Sequence, residues 1–200
     1  YNNATGRNDR LRLLLLSGYT RQVSISYDRL YLDKKMNWGM NIAANMGKNR
    51  EINYATVRNK QVFIKDNSYI RNFFDVTAEL TYRKAINTRH RFGAGYFIED
   101  LSDTVAALNP KKKKNGRNRI AFPELHYTMT HHNVDYIPYP TRGYSAYVNL
   151  SKRGFTNAFN IWQLSVKGFG SWHLSPKTFF NVNLFGSIKL PFRQPYYNQR

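Results

Sequence analysis

The sequence predicts an all-β fold, an antiparallel up-and-down transmembrane β-barrel of which about nine strands are present. Three observations carry that prediction. Apolar side chains recur at every second position over unusually long stretches, polar connections alternate between short and long, and Tyr, Phe and Trp crowd the strand ends. Composition narrows the alternatives. The 200 residues include 31 Lys and Arg against 12 Asp and Glu, a formal charge of +19, and 42% are hydrophobic. With 15 Tyr, 13 Phe and 3 Trp, the chain is too aromatic for a disordered basic tail. It has no cysteine, which excludes disulfides, thiolate metal sites and cysteine nucleophiles. The longest apolar run, Leu13–Leu16, is far short of the ~20 residues of a spanning helix. The first residues show no basic-then-apolar leader pattern.

The strands follow in order. Val23, Ile25 and Tyr27 alternate with Ser24 and Ser26. Met36, Trp38, Met40, Ile42, Ala44 and Met46 alternate with asparagines, glycines and Ala43, a period of two that a helix would scatter around its circumference. Phe74, Val76, Ala78, Leu80 and Tyr82 face away from Asp75, Thr77, Glu79 and Thr81. His90, Phe92, Ala94, Tyr96 and Ile98 form the next face, with Arg91, Gly93 and Gly95 opposite as small or polar strand residues. Tyr144, Ala146, Val148 and Leu150 then alternate with Ser145, Tyr147, Asn149 and Ser151, and Phe180, Val182, Leu184, Gly186, Ile188 and Leu190 with Asn181, Asn183 and Ser187. Short turns are expected at Asp33–Lys35, Ile86–Thr88, Ile137–Gly143 and Ser175–Lys177, and long polar connections at Gly47–Ser68 and Glu99–Arg119. That places tight turns at one end of the sheet and long loops at the other.

A soluble β-sandwich also alternates apolar and polar residues. The strands here exceed the ~5–6 residues typical of soluble sheets. Their polar face is Asn, Ser, Thr and Gly rather than mostly Lys and Glu, and the aromatic strand ends fit the interfacial girdles of a bilayer barrel. A basic, aromatic sheet could instead bind nucleic acid, which requires cations and rings on one exposed face. The apolar faces from Met36 and Phe180 carry no basic residue, so no nucleic-acid partner is expected. A passive porin or transporter barrel satisfies the same pattern.

From Pro123 to Arg200 the chain resembles the barrel domain of BamA/TamA-type outer-membrane assembly factors, the bacterial surface antigen family, in its Bacteroidota-like form. The likeness lies in Pro123-Glu124-Leu125, in Asp135-Tyr136-Ile137-Pro138-Tyr139-Pro140-Thr141-Arg142-Gly143-Tyr144, in Lys152-Arg153-Gly154-Phe155, and in the tail Lys189–Arg200. Asp135, Pro140, Thr141, Arg142 and Gly143 match the family's periplasmic turn. Ser26–Leu32 resembles another such turn, although Asp28 and Arg29 stand where the family more often has Asn-Pro. In the family about sixteen strands close the barrel. The resemblance implies that residues 1–200 are part of one barrel domain, reading as strands three to eleven. Periplasmic POTRA domains, the seam-forming first and last strands, and the Arg-Gly loop motif would lie elsewhere in the parent. It also implies insertion or folding of outer-membrane proteins, location in the bacterial outer membrane, and client proteins, accessory assembly subunits and outer-membrane lipid as partners.

The chemistry-bearing residues suggest no enzyme and no cofactor. His131 and His132 are adjacent on a strand and point to opposite faces, so with Asp135 and His126 they do not converge on a metal. Asp75 and Glu79 share a face but sit ~13 Å apart, beyond the reach of a paired-carboxylate mechanism. They are expected to be luminal carboxylates neutralised by Arg or Lys. The densest basic run, Lys111, Lys112, Lys113 and Lys114, is a candidate contact for acidic lipid headgroups.

Overall fold

The computed structural model describes residues 2–108, 118–156 and 159–192, the side chains of 54–57 and 106 excepted. The strands are β1 (Asp9–Leu16), β2 (Thr20–Arg29), β3 (Trp38–Asn49), β4 (Glu51–Val57), β5 (Lys60–Lys65), β6 (Arg71–Ala85) and β7 (Thr88–Leu101). A short helix α1 (Asp103–Leu108) follows, then β8 (Arg119–Val134), β9 (Gly143–Thr156), β10 (Phe159–Ser175) and β11 (Thr178–Leu190). Nine strands form one antiparallel sheet in the order β1-β2-β3-β6-β7-β8-β9-β10-β11, and β4 and β5 form a separate hairpin. The sheet is open, with β1 and β11 at its margins.

The expected strands and their faces are those observed. Two expectations need correction. The connection Gly47–Ser68 is not simply a polar loop: β3 runs on to Asn49 and the β4–β5 hairpin follows, while the second long connection contains α1. The hairpin strands and α1 are only six or seven residues long, too short a pattern to declare a period. They acquire a core only by packing together. Ile70, Leu101 and Val105 are buried, with Ile52 and Ile64 against them, which seats the hairpin and α1 on the long-loop end. The turn expected at Ser26–Leu32 begins later, because Ser26–Arg29 still pair with β3. The carboxylate that closes this turn is Asp33, which accepts the Trp38 amide at 2.8 Å.

Cross-strand register assigns the two faces. One row runs Tyr27–Ile42–Ala78–Ala94–Leu125–Lys152–Trp162–Leu190 and is almost wholly apolar. The adjacent row, Asp28–Asn41–Glu79–Gly93–His126–Ser151–Gln163–Lys189, carries the polar groups. Among the described residues only six hydrophobic side chains are buried, whereas forty large ones are exposed, most of them in apolar rows. A soluble sheet of this size would cover that face with a second layer.

The apolar face ends in rings. At the tight-turn end Trp38 meets Tyr82 with centroids 4.8 Å apart, Tyr82 meets His90 at 6.3 Å, and His90 meets Tyr127 at 6.1 Å. His131 against Tyr144 and Trp172 against Phe180 carry the belt to the far margin. At the loop end of β9 and β10 the Lys152 ammonium lies 4.9 Å from the Trp162 ring and near Phe155. Trp162 and Trp172 are ten steps apart on β10. At ~3.3 Å per step and a barrel-like tilt of ~40°, that separation spans ~25 Å, the height of the apolar band of an outer-membrane barrel.

Candidate functional site

The turn from Asp135 to Gly143 closes β8 onto β9. Asp135 Oδ1 accepts the amides of Thr141 at 3.0 Å and Arg142 at 3.1 Å, and Oδ2 accepts the Thr141 hydroxyl at 2.6 Å. The Asp135 amide donates to the Arg142 carbonyl at 3.1 Å. The turn is tied to β10 as well: Ser171 Oγ donates to the Pro140 carbonyl at 3.1 Å, and His173 Nε2 lies 3.0 Å from Thr141 Oγ1. Gly143 has φ +110°, and a Cβ there would stand 2.1 Å from the Asn133 carbonyl oxygen, so glycine is required twice over. The Thr141 hydroxyl first, then the backbone amides, hold the Asp135 carboxyl well below its ordinary range. Asp135, Pro140, Thr141, Arg142 and Gly143 thus form one closed unit of strand linkage. Lys111–Lys114 lies outside the described residues.

The other polar constellation lines the polar face of the sheet. Arg71 and Glu99 pair at 2.5 Å, Arg153 and Glu124 at 2.8 Å, and Arg12 with Asp28. Glu79 and Asp75 share the polar face, as expected, but among the described residues their direct partners are not Arg or Lys. Asp75 accepts Asn45 Nδ2 at 2.7 Å, and Glu79 Oε1 lies 2.7 Å from His126 Nε2, two strands away. Neighbouring strands are ~4.8 Å apart, so this bond must cross the whole of β7. It can do so because the residue beneath it is Gly93. A Cβ on Gly93 would lie 2.1 Å from His126 Nε2.

His131 and His132 point to opposite faces. His131 Nδ1 lies 2.8 Å from Thr88 Oγ1 and its ring stacks on Tyr144, both on the apolar face. Among the described residues no group of three or more His, Asp or Glu is arranged to hold a metal.

No protein-family model matches the chain, and no curated protein matches it. Among solved structures, that of BamA from Haemophilus ducreyi lacking POTRA domains 1-3 is similar, with a TM-score of 0.62 and 17% identity. The fold is that of the BamA barrel. The match covers 98% of this chain and 38% of that chain, so this chain spans well under half the length of the BamA structure. Against the BamA fold, the nine-stranded sheet is an arc of barrel wall. The apolar rows lie on its outer surface, and the Glu79–His126 bond and the arginine pairs line the lumen. Pairing across two strands depends on register, and no local sequence pattern announces it.

Proposed function

We propose that this chain is a wall segment of an outer-membrane barrel whose parent protein inserts or folds other outer-membrane proteins. One observation supports this most: a nine-stranded sheet, girdled outside and polar inside, follows part of the BamA barrel over 98% of this chain. The turn motif Asp135…Pro140-Thr141-Arg142-Gly143, with its resemblance to assembly-factor barrels, supports it from the sequence side. In this account the described wall does no covalent chemistry. It holds the curvature of the barrel while strand edges elsewhere in the parent template incoming strands by main-chain hydrogen bonding. Client strands, accessory assembly subunits and outer-membrane lipid are the partners.

The test is reconstitution of the full-length parent in liposomes, followed by folding of an urea-denatured outer-membrane protein scored by its heat-modifiable gel mobility. Accelerated folding over empty liposomes is expected. Liposomes that conduct ions but leave client folding at the spontaneous rate would establish a passive porin instead.

A further inference from the structure

The luminal face near the tight-turn end holds more positive charge than its carboxylates can neutralise. Arg12, Arg83, Arg89 and Arg91 line one cavity of about 340 Å³ together with Asp28 and Glu79. Both carboxylates are already engaged, Asp28 by Arg12 and Asn41, and Glu79 by His126. Arg83 donates to the Leu30 carbonyl at 2.8 Å and lies over the Tyr31 ring, so it is anchored without a counter-charge. Arg89 and Arg91 form no ion pair among the described residues, and Arg89 is close enough to Arg83 and Arg91 for their charges to act on it. The arrangement is built into the strands: Arg83 lies two residues before the end of β6 and the Ile86-Asn87 turn, and Arg89 and Arg91 start the luminal face of β7.

We propose that this cavity is an oxyanion site, in which Arg83, Arg89 and Arg91 receive a ligand bearing at least two negative charges on phosphate or carboxylate groups. Planar guanidinium forks suit such groups bidentately. The volume is at the lower end for small-ligand sites, enough for a pyrophosphate or for two acidic side chains of a threaded segment. The proposal rests on the barrel geometry and not on the assembly role, so either can fail alone.

Calorimetry tests it on the full-length protein in zwitterionic nanodiscs, at about 0.15 M salt so that diffuse attraction is screened. The probes are inorganic pyrophosphate and a glutamate-rich hexapeptide. Binding of pyrophosphate identifies a diffusible anion, and binding of the peptide alone identifies a polypeptide segment. The double variant R89Q/R91Q is expected to weaken binding at least about tenfold, the loss of one or more charge-assisted hydrogen bonds. R89K/R91K keeps the charge and loses the forks, and is expected to weaken it by about threefold or more. K60Q/K177Q removes charge at remote turns and is expected to change nothing. Absence of binding by both probes overturns the proposal. So does wild-type affinity in R89Q/R91Q, or an equal loss in K60Q/K177Q. Heat-modifiable mobility verifies folding; if R89Q/R91Q does not fold, R89K/R91K decides, wild-type affinity there being the refuting result.

Discussion

Replacing Gly93 with Ala puts a methyl group where the His126 ring now lies. The new Cβ would stand 2.1 Å from Nε2 and 2.3 Å from Cε1, so the imidazole must swing away and release Glu79. Glu79 and His126 are both largely shielded, with side-chain exposures of 22% and 14%. Losing a hydrogen bond to a charged group in such surroundings costs ~1.5–3 kcal/mol. Against this, Gly→Ala in a strand recovers ~0.5–1 kcal/mol of backbone entropy and propensity. The net expectation is a destabilisation of ~1–2 kcal/mol, read as a lower urea midpoint of the parent barrel in lipid. A cycle with His126→Ala isolates the cause: without the ring, Gly93→Ala becomes neutral or stabilising. Gly168→Ala, where a Cβ would meet nothing within 4 Å, is expected to be neutral or slightly stabilising. Equal destabilisation by Gly93→Ala with and without His126 would refute the reasoning.

The other expectations concern the turn and the lipid face. Gly143→Ala combines positive φ with a clash on the Asn133 carbonyl and is expected to cost at least ~1–3 kcal/mol in the same urea assay. Because the Asp135 carboxyl is depressed when folded, its contribution is full above the ordinary carboxylate range, declines steadily as pH falls below that range, and is gone once pH is below the lower folded value. Proteolysis within Tyr136–Arg142 should therefore stay slow above pH ~5 and accelerate progressively below pH ~4; a rate that does not rise between pH ~4 and stronger acid would contradict the hydrogen-bonding account. Val148→Arg on the apolar face is expected to cost ~2–4 kcal/mol, while Asn149→Arg on the polar face costs clearly less. Similar values for the two would mean that lipid does not contact the apolar face.

The phase of each strand was legible because a two-sided environment imposes one rule on every residue. Phe74 and Leu80 face away from Asp75 and Glu79 for the same reason that Tyr144 and Val148 face away from Ser145 and Asn149. The Asp135 turn was legible too, since its carboxylate, threonine and glycine act within nine residues of one another. What escaped was non-local or short. Asp33 rather than Asp28 closes the first turn, because where a strand stops depends on its neighbour's register, and Asp28 is still paired with Asn41. The hairpin and α1 gain a core only when Ile70 and Leu101, distant from each other in sequence, come together with Val105. The Glu79–His126 bond needs three strands in register before it has any meaning. Part of the positive charge stands along the polar face, where Arg71 and Arg153 pair with carboxylates while Arg89 and Arg91 form no ion pair among the described residues.

The most direct measurement is a spin-label scan of single cysteines from Tyr144 to Lys152 along β9 of the parent barrel in lipid. The chain has no cysteine of its own to interfere. Accessibility to oxygen, which concentrates in lipid, should peak at 144, 146, 148 and 150, and accessibility to a water-soluble nickel complex at 145, 147, 149 and 151. Equal water accessibility at both sets of positions would contradict a membrane-spanning wall.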